Sequence, residues 1–152
     1  MEALMNKLEK LVFAFRKAIE RAQKNDEPGE FFRKFPTGQC GHTSDLLAQF
    51  LIDNGGSQVR YVYGTYYGRN DKMQSHAWLS VGDMIIDITA DQFRYHEAPL
   101  TNDIPVYIGP MNEYYKLFDM TFGDNHEHMG LERQWTNYRE LIRCYDTIIR
   151  YI

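Results

Sequence analysis

The chain has few cysteines, no long apolar run and no concentration of positive charge. Its 152 residues include two cysteines, too few for the disulfide framework on which small secreted domains rely. No apolar run approaches the roughly 18 residues that a membrane-spanning helix needs. Charges occur on every turn of the first two dozen residues, which is untypical of a signal peptide. We therefore expect a cytoplasmic protein that does not bind membranes.

The net charge and the chain length bear on nucleic-acid binding and on the number of domains. The formal net charge is -4 and no basic run is present, which argues against a nucleic-acid-binding surface. Hydrophobic residues make up 43% and charged residues 25%, as in ordinary globular domains. A chain of this length can bury its own core, and no linker, repeat or low-complexity tract divides it. We expect residues 1–152 to form a single domain.

Helical periodicity occurs in four parts of the chain. Apolar residues at three- and four-residue steps predict an amphipathic helix over residues 3–24. A second helix is predicted from Gly41 to about Gly55, where glycine supplies the C-terminal stop. Residues 111–118 predict a short helix and residues 131–151 a closing helix. Between these helices, residues 58–66 and 104–109 have the composition of strands.

A hairpin is the most informative feature of the sequence. Gly82 and Asp83 suit a two-residue type II′ turn. The turn pairs three sets of apolar residues on one face: Val81 with Met84, Leu79 with Ile86, and Ala77 with Ile88. The opposite face then carries His76, Trp78, Ser80, Ile85, Asp87 and Thr89. A slip of one residue would mix the two sets, so the sequence itself supports this register.

The register makes His76 and Asp87 diagonal neighbours, about 7–8 Å apart at the backbone. At that separation a carboxylate can accept the imidazole N–H, which fixes the tautomer and leaves the other ring nitrogen to take a proton from a nucleophile. Asp91 is a rival for this role, although it could instead cap the next turn or hold the loop that carries Gln92. We favour Asp87 on the diagonal geometry.

Cys40 supplies the nucleophile for such a pair. It lies where the segment TGQCG enters the second predicted helix, so its thiol should be near a helix N-terminus. The unpaired N–H groups and the dipole at that end favour the thiolate, which is the reactive form. The same N–H groups can stabilise an oxyanion that develops on a substrate carbonyl.

Four further residues are candidates for oxyanion or substrate binding. Gln39 and Gln92 each offer a side-chain donor, and we prefer Gln92 because Gln39 directly precedes the thiol and can point away from it. Gly41 lets the substrate approach the backbone closely. Trp78 shares the strand face of His76 and is a candidate substrate contact.

The order of a cysteine at a helix start, a histidine strand and an aspartate strand resembles the transglutaminase-like and papain-like cysteine enzymes. The matching segments are QCGHTSDLLAQFL, SHAWLSV and IIDIT, within about residues 36–90. The H-A-W and D-x-T elements are especially similar to the transglutaminase core, including its members that act as peptidases. The resemblance implies an α+β fold whose nucleophile begins a helix packed on an antiparallel sheet. It also implies a Cys40-His76-Asp87 triad, a thioester intermediate, no metal and no organic cofactor.

These features predict a cysteine-dependent acyl-transfer enzyme. We expect a thiol hydrolase, namely a peptidase, amidase or deamidase that acts on a peptide or protein substrate. One alternative is a transglutaminase-like or N-acyl transferase that uses an amine acceptor. Another alternative is a catalytically silent protein-binding domain on the same scaffold.

The remaining reactive side chains have simpler explanations. His126 and His128, with the distant His96, raise the alternative of a zinc protein, but only acidic neighbours such as Asp124 could complete a site, so a polar loop is favoured. Cys144 lies among apolar residues of the closing helix and is predicted to pack in the core. The 11 tyrosines are predicted to be mostly half-buried packing residues, with a few lining a substrate cleft.

Overall fold

The computed structural model describes residues 2–68, 72–121, 123 and 125–152. Within these residues the fold is α+β, as predicted, with three α-helices and one five-stranded antiparallel sheet. The helices are α1 (Glu2–Lys24), α2 (Cys40–Asp53) and α3 (Tyr138–Ile149). The strands are β1 (Val59–Tyr67), β2 (Met73–Val81), β3 (Met84–Asp87), β4 (Tyr107–Pro110) and β5 (His126–Glu127). None of the described helices has the length and hydropathy required to cross a bilayer.

The sheet has the strand order β4-β3-β2-β1-β5. The first four strands therefore form a meander, and the chain returns to place β5 at the free edge of β1. The three helices pack against one another, and α2 also packs against β1 and β2. Cys40, the first residue of α2, is thereby brought to the part of the sheet that carries His76.

The amphipathic pattern of α1 places an apolar face in the core. Val12, Phe15 and Ile19 are fully buried and belong to the cluster that also contains residues of α2 and α3. Leu4 has the spacing of this apolar face, but its side chain is 70% exposed. Arg16 is a charged residue buried in the middle of this apolar face.

A buried ion pair accounts for the position of Arg16. Its Nη1 donates to Asp91 Oδ1 at 2.9 Å and its Nη2 donates to Asp91 Oδ2 at 2.7 Å, a two-bond contact. Nη1 also donates to the carbonyl oxygen of Ile88 at 2.6 Å. The guanidinium therefore fixes the segment that follows β3 against α1. Asp91 is committed to this pair, in agreement with our choice of Asp87 over Asp91 as the partner of His76.

The hairpin between β2 and β3 has the predicted register. Val81 pairs with Met84, and Leu79 pairs with Ile86. The φ angle of Gly82 is +58° and Asp83 has no positive φ, which is the pattern of a type II′ turn. The turn type and the two apolar pairs could thus be predicted from the sequence alone.

The third predicted pair, Ala77 with Ile88, is wrong because β3 ends at Asp87. Asp87 Oδ1 accepts the backbone N–H of Thr89 at 2.9 Å, which turns the chain out of the strand. The carbonyl oxygen of Ile88 accepts its hydrogen bond from Arg16 instead of from the sheet. The backbone groups that would have continued the ladder are therefore used by side chains.

Both faces of the hairpin are buried. The face with Leu79 and Ile86 contacts the helices, as predicted. The opposite face, which carries His76 and Asp87, is covered by a second cluster rather than exposed to solvent. This cluster, called the aromatic layer below, consists of Trp78, Ile85, Phe93, Leu100, Tyr115 and Phe118.

The C-terminal third departs from the predicted elements. The closing helix begins at Tyr138 rather than at residue 131, because residues 131–137 form turns and Leu131 donates its backbone N–H to Gln49 Oε1 at 2.7 Å. The short helix predicted over residues 111–118 is reduced to the 3₁₀ turn Tyr115–Leu117.

Two strand predictions in this part of the chain also need correction. The strand predicted over residues 104–109 is shifted, since β4 spans Tyr107–Pro110. Ile104 is outside the ladder and donates its backbone N–H to Asn102 Oδ1 at 2.8 Å. The two-residue strand β5 was not predicted, because a strand so short has no periodicity to detect.

Replacing Arg16 with Met should lower the free energy of unfolding by about 3–5 kcal/mol, because the Asp91 carboxylate stays buried without its partner. Urea denaturation followed by tryptophan fluorescence measures the effect. Arg33→Met is the matched control, since Arg33 faces solvent in its ion pair with Glu30 and should cost less than about 1 kcal/mol. Equal losses in the two variants would contradict a structural role for the Arg16–Asp91 pair.

Candidate active site

Cys40 is the first residue of α2, as the sequence predicted to within one residue. Gly38, with a φ of +70°, turns the chain just before the helix, and Gln39 is the N-cap residue. Within the described residues, the Gln39 side chain makes no capping hydrogen bond to the first turn of α2. The thiol is therefore half-buried at a helix end whose first N–H groups have no intrahelical partner.

His76 and Asp87 make the contact that the hairpin register predicts. His76 Nε2 lies 2.6 Å from Asp87 Oδ2, and both side chains are buried. This hydrogen bond places the proton on Nε2 and leaves Nδ1 as the nitrogen that can exchange a proton. The imidazole is held on its faces and edge by the rings of Trp78, Phe93 and Phe118, whose centroids lie 5.2–5.5 Å away.

Both oxygens of the Asp87 carboxylate accept hydrogen bonds from neighbouring groups. Oδ2 accepts the hydroxyl of Tyr115 at 2.8 Å in addition to His76, while Oδ1 accepts the N–H of Thr89 at 2.9 Å and its hydroxyl at 3.3 Å. Burial would raise the pKa of this carboxyl group, but His76, Thr89 and Tyr115 together hold the pKa of Asp87 below its usual value. Asp87 is therefore a buried anion.

Cys40 forms a hydrogen bond with His76. The backbone N–H of Ala77 and the side-chain amide of Gln92 also contact the sulfur. Gln92 Nε2 lies 3.0 Å from His76 Nδ1, so the amide touches both members of the pair. Two chain segments, the start of α2 and the turn after β3, thus meet at the Nδ1 edge of the imidazole.

The charges in this group favour a thiolate beside an imidazolium. Burial raises the pKa of the Cys40 thiol, but its contacts with His76, Ala77 and Gln92 outweigh burial and lower the pKa. Burial also disfavours charged His76, yet the carboxylate of Asp87 and the hydrogen bonds to Asp87 and Cys40 raise the pKa of His76 to about 9. Both shifts favour a negative sulfur beside a positive ring, which is the reactive form of a cysteine nucleophile.

The four substrate-binding candidates occupy different positions. Gln92 lies at the Cys40–His76 pair, where an amide donor can reach an oxyanion on a bound carbonyl. Gln39 adjoins Cys40, but its Oε1 is buried without a hydrogen-bond partner in the described residues. Trp78 is only 1% exposed and packs behind His76, so a substrate contact there stays a prediction that this geometry does not favour.

Gly41 is close to the side chain of a neighbouring strand. A Cβ atom at this position would lie 3.2 Å from the Tyr61 hydroxyl of β1. The first turn of α2 is therefore tightly packed on the side of β1, and the absence of a side chain at Gly41 matters for that packing. Its part in substrate approach stays a prediction.

A cavity of about 680 Å³ adjoins the site. It lies within the size range of roughly 300–1,000 Å³ that small-molecule pockets have. Gln92, which touches Cys40 and His76, forms part of its wall. The other wall residues include Thr37, Tyr66, Gln74, His96 and Leu100. Gln92 therefore separates this cavity from the Cys40–His76 pair, and neither Cys40 nor His76 lines the cavity wall.

The other histidines and the second cysteine have separate surroundings. His128 is buried and its Nε2 contacts Asp45 Oδ1 at 2.9 Å, while the His126 ring stacks on Tyr61 at 5.3 Å. No group of three or more His, Cys, Asp or Glu side chains among the described residues is arranged to hold a metal ion. Asp124, which entered the zinc alternative, lies outside the described residues. Cys144 is fully buried in the core, as predicted, and burial raises its pKa to about 12.

Tyr115 and Arg16 are parts of this arrangement that the sequence did not predict. Tyr115 reaches Asp87 across 28 positions of the chain, and Arg16 reaches Asp91 across 75. Neither residue lies in a motif or a periodic pattern that identifies its partner. Arg16 had one available signal, namely a charge on the otherwise apolar face of α1.

No family model, curated protein or solved structure matches this chain. The similarity of its motifs to transglutaminase-like and papain-like enzymes therefore stays a prediction from the residues.

Replacing Asp87 with Asn in a Cys40→Ala background should lower the pKa of His76 below that of free imidazole, about 6.5. Without the carboxylate charge, only burial acts strongly on the ring, and burial disfavours the protonated form. Histidine NMR titration measures the change. Asp83→Asn in the same background is the control and should leave the His76 titration unchanged, since Asp83 is exposed in the turn between β2 and β3. An unchanged titration in Asp87→Asn would contradict the assigned contact.

Proposed function

We propose that this chain is a cysteine-dependent acyl-transfer enzyme, most simply a thiol hydrolase that acts on a peptide or amide carbonyl. One observation carries the proposal: the thiol of Cys40 at the start of α2 is hydrogen-bonded to His76, whose other nitrogen is held by buried Asp87. A nucleophile, a base and a carboxylate that orients the base form the arrangement that nucleophilic acyl transfer uses.

We also propose that the fold is a transglutaminase-like or papain-like core. The packing of α2 on an antiparallel sheet, with the histidine and aspartate on adjacent strands, supports this assignment. A cytoplasmic location is part of the same proposal, since both cysteines are free and the cytosol keeps thiols reduced.

The first half of the reaction uses the thiolate–imidazolium pair. The Cys40 sulfur forms a bond to the carbonyl carbon, and the carbonyl π electrons move to oxygen. The resulting oxyanion is stabilised by the N–H groups at the start of α2 and by the amide of Gln92. Collapse restores the carbonyl and breaks the C–N bond, while His76 Nδ1 gives its proton to the leaving nitrogen. The products are a free amine and a thioester on Cys40.

The second half returns the enzyme to its starting state. A water molecule attacks the thioester carbonyl and transfers a proton to His76 Nδ1. The C–S bond then breaks, releasing a carboxylic acid and the Cys40 thiolate. Water is the acceptor that we favour because it is the default fate of a thioester in an accessible site. A transferase would use an amine at this step.

Iodoacetamide should alkylate Cys40 with a rate that rises with pH through a midpoint below about 8.5, the value of an ordinary thiol. His76→Ala should move the midpoint upward and slow alkylation at pH 7 by about tenfold or more, since one pKa unit is a tenfold change. Mass spectrometry of peptides from timed reactions measures both rates.

Cys144 is the internal control for this experiment. It is buried with a raised pKa, and its labelling should be slow in the wild type and unchanged in His76→Ala. Slow labelling of both cysteines would contradict the enzyme proposal and would favour a catalytically silent protein-binding domain.

The acyl acceptor can be identified with an activated ester. We expect p-nitrophenyl acetate to acetylate Cys40, and the acetyl group to leave as acetate even when glycine methyl ester is present. Cys40→Ala should release no burst of nitrophenol, whereas Cys144→Ala should release as much as the wild type. An N-acetylated amine as the main product would overturn the hydrolase assignment in favour of a transferase.

A further inference from the structure

One oxygen of Asp87 is shared between two donors. Oδ2 lies 2.6 Å from His76 Nε2 and 2.8 Å from the hydroxyl of Tyr115. Tyr115 is 1% exposed, and its ring packs against Trp78 at 5.1 Å and against Tyr107 at 5.2 Å. The phenol is thus held in one position, and its hydrogen bond to the carboxylate is a fixed part of the site.

We propose that Tyr115 is a positioning residue whose hydroxyl takes a share of the Asp87 charge that His76 would otherwise receive alone. The inference rests on the proposed function, because it concerns the base that the reaction requires. A carboxylate oxygen that accepts a second charge-assisted hydrogen bond has less negative charge to offer its first partner. Tyr115 therefore moderates how strongly His76 holds its proton, and it also fixes the orientation of the carboxylate.

A weaker hold of His76 on its proton would serve the proposed reaction. A general base works best when its pKa is near the operating pH, because it must both accept and return a proton. Asp87 and Cys40 pull the His76 equilibrium strongly toward the protonated form. A hydroxyl on Oδ2 opposes that pull without adding a charge. Thr89, on Oδ1, cannot replace it at the oxygen that His76 uses.

No other ionisable group described near the Tyr115–Asp87 hydrogen bond donates to Asp87 Oδ2 in place of Tyr115. Cys40 of α2 and Asp87 of β3 are the charged neighbours of His76. Two further tyrosines flank Tyr115, but their hydroxyls have other acceptors. Tyr114 donates to the carbonyl oxygen of Leu100 at 2.8 Å. Tyr107, of β4, donates to the carbonyl oxygen of Pro110 at 2.6 Å. Tyr114 is therefore a matched control, a neighbouring tyrosine whose hydroxyl points elsewhere.

The decisive variant is Tyr115→Phe, which keeps the ring and removes only the hydroxyl. We expect the His76 NMR titration to move to higher pH by about one unit, the scale on which such hydrogen bonds act. The midpoint of Cys40 alkylation should move to lower pH, because a more strongly held imidazolium stabilises the thiolate. Tyr114→Phe should change neither midpoint.

A double-variant cycle separates charge sharing from general damage. In an Asp87→Asn background, adding Tyr115→Phe should not shift the His76 titration, since the shared charge is already gone. A variant with 3-fluorotyrosine at position 115 strengthens the donor and should move the titration to lower pH. An unshifted titration in Tyr115→Phe, or a shift to lower pH, would overturn the inference and leave Tyr115 as a packing residue.

These outcomes can be distinguished from failure of the proposed function. The NMR titration needs no substrate and no reactive thiol, so it decides the role of Tyr115 even if Cys40 proves unreactive. Conversely, fast alkylation of Cys40 with no effect of Tyr115→Phe would retain the enzyme proposal and reject the charge-sharing role.

Discussion

The buried contact between His76 and Asp87 determines what the surrounding elements of the fold must supply. Removing an imidazole and a carboxylate from water is costly, and the cost is offset only if each receives partners of complementary charge or hydrogen-bonding capacity. The fold supplies them from four separate places: the hairpin itself, the start of α2, the turn at Thr89 and the 3₁₀ turn that carries Tyr115. The aromatic layer then excludes water from the group, which strengthens each of these contacts.

A second ion pair supports the first one indirectly. Arg16 and Asp91 join α1 to the segment directly after β3, and the carbonyl of Ile88 lies in the same contact. That segment holds Gln92, the side chain that meets both Cys40 and His76. The two acidic residues of this short stretch therefore have different partners. Asp87 contacts the imidazole of His76 on one side of the sheet, and Asp91 contacts Arg16 of α1. Packing of α1 is in this way linked to the position of the Gln92 amide beside the Cys40 thiol.

The parts of the site that the sequence predicted are those governed by local geometry. The type II′ turn and the two-residue period of the strands place His76 and Asp87 on one face, and the TGQCG segment places Cys40 at a helix start. Contacts that join distant segments, such as Tyr115 with Asp87, have no local signature and could not be predicted. The predicted end of β3 is wrong because the side chains of Asp87 and Arg16 bind the backbone groups that would continue the strand pairing. Hydrophobic periodicity carries no information about such side-chain contacts. The late start of α3 has a similar cause, since residues that suit a helix form turns that hold Leu131 at Gln49.

The two thiols respond to the folded state in opposite ways. Cys40 owes its low proton affinity to groups from β2 and from the turn after β3, none of which is near it in the extended chain. Cys144 is shielded only because α3 packs into the core. Folding therefore lowers the pKa of one ordinary thiol and buries the other, and loss of the native state would make the two chemically alike.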